Sequence, residues 1–164
     1  MKKYFRIIGI VTVLIVALVM ATTPALAARK NFIATLSGGQ EVPSVDTHAR
    51  GVAIFQLNDD GTELKYKLIV SNIEDILMSH IHLGITGVNG PVVAWLYPDG
   101  PPPVLIPGRT NGILAEGTIT ADDLVGPLVG QPLSALLDAL NNDGAYVNVH
   151  TTATPGGEIR GQIR

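Results

Sequence analysis

The stretch Tyr146 to Arg164, YVNVHTTATPGGEIRGQIR, restricts the possible fold more than any other. In its first half Val147 and Val149 are apolar, while Tyr146, Asn148 and His150 take the opposite parity, the pattern of a half-buried strand. Pro155-Gly156-Gly157 then signals a turn, after which Ile159, Gly161 and Ile163 alternate with Glu158, Arg160 and Gln162. The stretch reads as a β-hairpin. One face supplies valine and isoleucine to a core, and the other presents Asn, His, Glu and Arg.

The same period of two recurs upstream. Phe32, Ala34 and Leu36 share a parity before Gly38-Gly39 breaks the strand. Gly51 to Leu57 and Leu64 to Val70 flank Asn58-Asp59-Asp60-Gly61, residues that tolerate positive φ, so these two strands form a hairpin. Met78 to Leu83, Pro91 to Tyr97 and Ile113 to Ile119 are further strands. Between the last two, prolines at 98, 101, 102, 103 and 107 predict a long surface loop over Pro98 to Gly112. Thr120 to Leu124 resembles an N-capped first helical turn that Gly126 and Pro127 cut short. Leu133, Leu136, Leu137 and Leu140 form one helical stripe, closed by Asn142-Asp143-Gly144. The expectation is an all-β fold, a Greek-key-like sandwich or barrel of about eight strands, with one short helix in a late crossover.

The N-terminus carries a different signal. Lys2, Lys3 and Arg6 precede an apolar run from Ile7 to Met20, and Ala25-Leu26-Ala27 offers a small-x-small cleavage site. Residues 1–27 are therefore expected to be a signal peptide cleaved after Ala27. The protein is then exported, secreted or held at the cell surface, with no membrane contact after cleavage, and residues 28–164 form one domain. Cleavage would remove three bases and no acid, lowering the formal charge from −3 to −6. That balance argues against nucleic acid as a partner. The absence of cysteine excludes disulfides, thiol nucleophiles and thiolate metal ligands.

Histidines carry the strongest chemical signal. His80 and His82 are separated by one residue in a strand, so both imidazoles project from one face, and Ile81 and Leu83 take the other. His150 has the equivalent parity in its own strand. If those strands adjoin, the three form a metal site. With no thiolate available, imidazoles suit copper or zinc. His48, ahead of the second strand, is a candidate fourth ligand, and Asn148, Glu158 and Arg160 are candidates for orienting the imidazoles by hydrogen bonds. No serine stands in a nucleophile-elbow context, and the carboxylate pairs Asp59-Asp60 and Asp122-Asp123 sit at a turn and a cap, where local roles account for them.

Several of these segments, taken together, are similar to a known family. Gly39-Gln40-Glu41-Val42-Pro43, Gly51-Val52-Ala53, His80-Ile81-His82-Leu83-Gly84, Asn89-Gly90-Pro91-Val92-Val93, Ala145 to Thr151 and Pro155 to Gln162 resemble, in order, the CHRD domain named for chordin. The resemblance covers nearly all of residues 28–164. It implies a secreted all-β domain and no established reaction; joined to the histidine pattern, the expectation is a binding module for a metal ion or an extracellular ligand. His80-Ile81-His82 followed by Gly84 also resembles the copper strand of copper-zinc superoxide dismutase. That likeness implies a copper-only redox enzyme, with His150 as third ligand and Arg160 guiding the anion. A structural or adhesive domain without metal is the third alternative.

Overall fold

The computed structural model describes residues 29–164, and the expected signal peptide lies outside them. Seven strands form one sheet: β1 (Asn31–Ser37), β2 (Arg50–Leu57), β3 (Leu64–Leu83), β4 (Val92–Tyr97), β5 (Ile106–Ile119), β6 (Ala145–Thr151) and β7 (Ile159–Gln162). The order β2-β1-β7-β6-β3 closes through a β2–β3 pairing into a five-stranded barrel. β4 and β5 pair with β3 from outside that ring. Closure removes the free edges that an open sheet of these strands would expose. The helix α1 (Leu133–Asn141) lies in the connection from β5 to β6. The fold class is thus all-β with one short helix, as read from the sequence, and of the sandwich and barrel alternatives it is a barrel.

Alternation places the core where the sequence puts it. Phe32 stands opposite Phe55, Ala34 opposite Ala53, Ile81 opposite Val147, and Val149 opposite Ile159, all buried. Leu133, Leu136 and Leu140 of α1 add to the same apolar cluster. The turn at Asn58 is as expected: its Oδ1 accepts from the N–H groups of Thr62 and Glu63, and Gly61 takes φ 72°.

Two expectations are corrected. Leu64 to Val70 and Met78 to Leu83 are parts of a single strand of 20 residues, so there are seven strands. Asn72 at φ 53° and Asp75 at φ 51° take up the irregularity inside β3, at register shifts against β5. Asn and Asp tolerate that conformation, so the strand bends and continues. The predicted loop over Pro98 to Gly112 is shorter, because β5 begins at Ile106 and pairs with Ile76. The length of β3 serves the site. Its first half pairs with β2 and β5, and its second half carries both histidines between β6 and β4.

Candidate metal centre

Register brings the histidines together. In β3 and β6, His80 stands opposite Asn148, His82 opposite Tyr146, and Met78 opposite His150. On the other side of β3, β4 sets Trp95 against His80 and Val92 against His82. β7 extends the rows, with Arg160 opposite Asn148 and Gln162 opposite Tyr146. These residues share the face of the barrel wall that points away from Ile81, Val147 and Val149.

That face is not wet. His80, His82 and His150 are 2%, 8% and 6% exposed, and every residue of β6 is buried. The connection from β3 to β4 covers it and is anchored by Arg160. Its guanidinium donates to the Asn89 side chain at 3.0 Å and to the carbonyls of Ile85 and Val88 at 3.2 and 2.8 Å. The same guanidinium lies 3.4 Å from the centre of the Tyr146 ring. Tyr146 in turn stacks on His82, with centroids 4.9 Å apart and planes 9° from parallel. Asn89 also donates to the carbonyl of Val42, tying this connection to the segment after β1. Gln162 donates to the carbonyls of Gly84, Asp143 and Ala145.

Hydrogen bonds fix the imidazole tautomers. His82 Nδ1 lies 2.8 Å from the carbonyl of Gly90, and His150 Nδ1 lies 2.9 Å from that of Pro155. A carbonyl only accepts, so each Nδ1 holds the ring proton and each Nε2 keeps a lone pair. The Nε2 of His82 is buried without a partner, as is the Nε2 of His80. His80 Nδ1 lies 3.2 Å from His150 Nε2. One ligand nitrogen from each ring can be chosen so that all three lie within 4.8 Å of one another. Two ligands on a tetrahedral ion with bonds of ~2.0–2.1 Å are about 3.3 Å apart. The His80–His150 pair already has that spacing.

All three rings are held neutral. Burial pushes His80 down to about 3, aided by the nearby His150 and His82. Burial takes His150 to about 4 against the opposing bond to Pro155. His82 is lowered by burial too, against its contacts with Gly90 and Asn148. Neutral imidazole is the form that coordinates metal, so the environment that disfavours a proton leaves the lone pairs available.

The remaining sequence candidates fall in different places. Asn148 Oδ1 is 3.0 Å from His150 Nε2, within the group. Glu158 does not reach an imidazole. It accepts from Thr47 at 2.8 Å and Thr151 at 2.7 Å, because β7 begins at Ile159 and Glu158 still belongs to the turn. Arg160 makes its hydrogen bonds to Asn89, Ile85 and Val88, lies over Tyr146, and helps to lower His82 by its charge. His48 is exposed in a surface depression beside Asn72, Glu74, Asp75 and Arg109, outside the group. Its segment precedes β2 and has no strand parity to aim it inward.

The sequence also passed over contributors. Trp95 meets His80 edge-on at 4.2 Å, and the carbonyls of Gly90 and Pro155 fix two tautomers. Glu41 is a buried carboxylate whose Oε1 has no partner. Backbone carbonyls give no sequence signal beyond their turn setting, and Glu41 stands in an irregular segment.

Residues 32–163 match the family model of the CHRD domain. The chain belongs to the CHRD-domain family. Every strand and every residue of the histidine group falls within the matched span, apart from Asn31 at the start of β1. No curated protein and no solved structure gives a significant match. Among the described residues, no helix is long and apolar enough to cross a membrane. This CHRD domain therefore combines a closed barrel with a buried three-histidine group on its outer wall.

Proposed function

We propose that this CHRD domain is an exported binding module in which His80, His82 and His150 hold one copper or zinc ion. The observation that carries the reading is the direction of the ring protons. His82 and His150 give theirs outward to backbone carbonyls, which leaves each Nε2 with a lone pair, and one ligand nitrogen of each of the three buried rings lies within 4.8 Å of the others. The Nε2 atoms of His80 and His82 are buried with no partner, and a bound ion would satisfy such nitrogens. An exported location is supported by the basic, apolar and Ala-x-Ala pattern of residues 1–27.

Superoxide chemistry at copper has less support. It requires a cation near solvent to attract the anion, and Arg160 is 1% exposed with its donors engaged. Calorimetric titration of metal-stripped protein with copper and with zinc, beside the His80→Ala/His82→Ala variant, tests the proposal. One equivalent bound by wild type and none by the variant is expected. Equal heats from both would return the domain to a metal-free structural or adhesive role.

A further inference from the structure

We propose that Asn148 Oδ1 is a fourth ligand to this ion and that Glu41 holds the amide in the required orientation, which makes the centre a closed holding site for a divalent cation. The inference rests on the three-histidine reading.

It follows from the donors and acceptors present. With the protons of His82 and His150 on Nδ1, His150 Nε2 has none to give to Asn148 Oδ1, which lies 3.0 Å away. Two acceptors at that separation repel each other, and a cation shared between them converts the repulsion into coordination. Asn148 also stands beside His82. His80 brings at most one N–H to the group, and its Nδ1 faces the same His150 nitrogen at 3.2 Å. The group thus holds more lone pairs than protons. The separations of 3.0 and 3.2 Å are close to the edge of about 3.3 Å expected for a tetrahedral ion.

Turned over, the Asn148 amide could donate to His150, and Glu41 opposes that arrangement. Glu41 is 6% exposed, and its Oε1 faces the space above Gly157. A methyl group on Gly157 would collide with that oxygen and sit 3.1 Å from Asn148 Nδ2. Glu41 Oε1 has no partner in the structure, and an unpaired buried carboxylate on the Nδ2 side favours an amide N–H there over an amide oxygen, which prefers the orientation with Oδ1 toward the histidines.

The consequence for function is coordination number. Catalytic zinc sites combine three protein ligands with an open position, whereas four protein ligands mark a structural site. Asn148 closes the fourth position with a neutral oxygen. That set suits a divalent ion such as zinc or copper(II) better than soft copper(I).

The test is zinc affinity at pH 7, by competition with a chromophoric chelator, for wild type, His82→Ala, Asn148→Leu, Asn148→Asp and Glu41→Gln, with folding checked by circular dichroism. Asn148→Leu and Glu41→Gln are expected to bind about 10–100-fold more weakly. Asn148→Asp is expected to match or exceed wild type, because aspartate keeps the oxygen and adds charge. A side chain needed only to donate to His150 would fail with that same substitution. In wild type, which requires no variant to fold, one equivalent of zinc is expected to move the Asn148 side-chain carbonyl resonance in a ¹³C spectrum. An unmoved resonance, or wild-type affinity in Asn148→Leu, overturns the assignment while His82→Ala still abolishes binding. If wild type binds no zinc, the three-histidine reading itself fails.

Discussion

Lowering the pH from 7 to 4.5 should destabilise the metal-free domain by about 5 kcal/mol. Unfolded, each histidine titrates near 6.5; folded, His80 titrates near 3 and His150 near 4. Between those values the unfolded chain binds protons that the folded chain refuses, so stability is complete above 6.5 and falls as pH decreases. At pH 4.5, two units below 6.5, each histidine costs between about 2 and 3 kcal/mol. The two contributions add, because both rings remain mostly neutral in the folded protein. His82, lowered as well, has the same sign. Glu41, raised by burial, has the opposite sign and offsets part of the loss. A loss of about 5 kcal/mol is the lower end of the whole stability of an ordinary domain. Urea denaturation of stripped protein at the two pH values measures it, followed by circular dichroism and by the fluorescence of Trp95, the single tryptophan, which contacts His80. His150→Gln should lose roughly half as much. A midpoint that stays constant or rises on acidification would refute the buried neutral histidines.

Three further outcomes follow from the same contacts. Arg160→Met should lower stability by about 3–5 kcal/mol, since it leaves the buried carbonyls of Ile85 and Val88 without their donor and removes the cation over Tyr146; a thermal melt matching wild type would contradict this. Tyr146→Phe deletes the oxygen that accepts the Gly90 N–H at 3.2 Å, and should cost about 1 kcal/mol with a measurable fall in metal affinity, because Gly90 also fixes His82. Gly157→Ala forces a side chain onto φ 125° and into Glu41, so unfolding should register a loss of about 1–3 kcal/mol together with weaker metal binding; unchanged values for both would remove Gly157 from the support of the site.

Much of the fold was legible because strands alternate with a period of two, and parity is a local property. It assigned Val147, Val149, Ile159 and Ile81 to the core, and His80, His82 and His150 to the opposite face. Parity names a face and not a neighbour. That His80 meets His150, 70 residues apart, depends on the β3–β6 register, which nothing local encodes. Nor does alternation reveal that the second face is covered: the roof comes from Arg160 pinning Ile85, Val88 and Asn89, a contact across more than 70 residues. The continuity of β3 was obscured because Asn72 and Asp75 are turn-formers by composition and serve here as bends inside a strand. Glu41 belongs to a segment quoted for its family likeness. Its burial beside Gly157 is a tertiary fact with no periodic trace.

In the proposed centre three imidazoles share one ion. X-ray absorption at the zinc edge, on protein loaded with a single equivalent, counts them directly. The predicted spectrum is that of a four-coordinate ion with three imidazoles at ~2.0–2.1 Å. A six-coordinate oxygen shell, or a single imidazole, would contradict it.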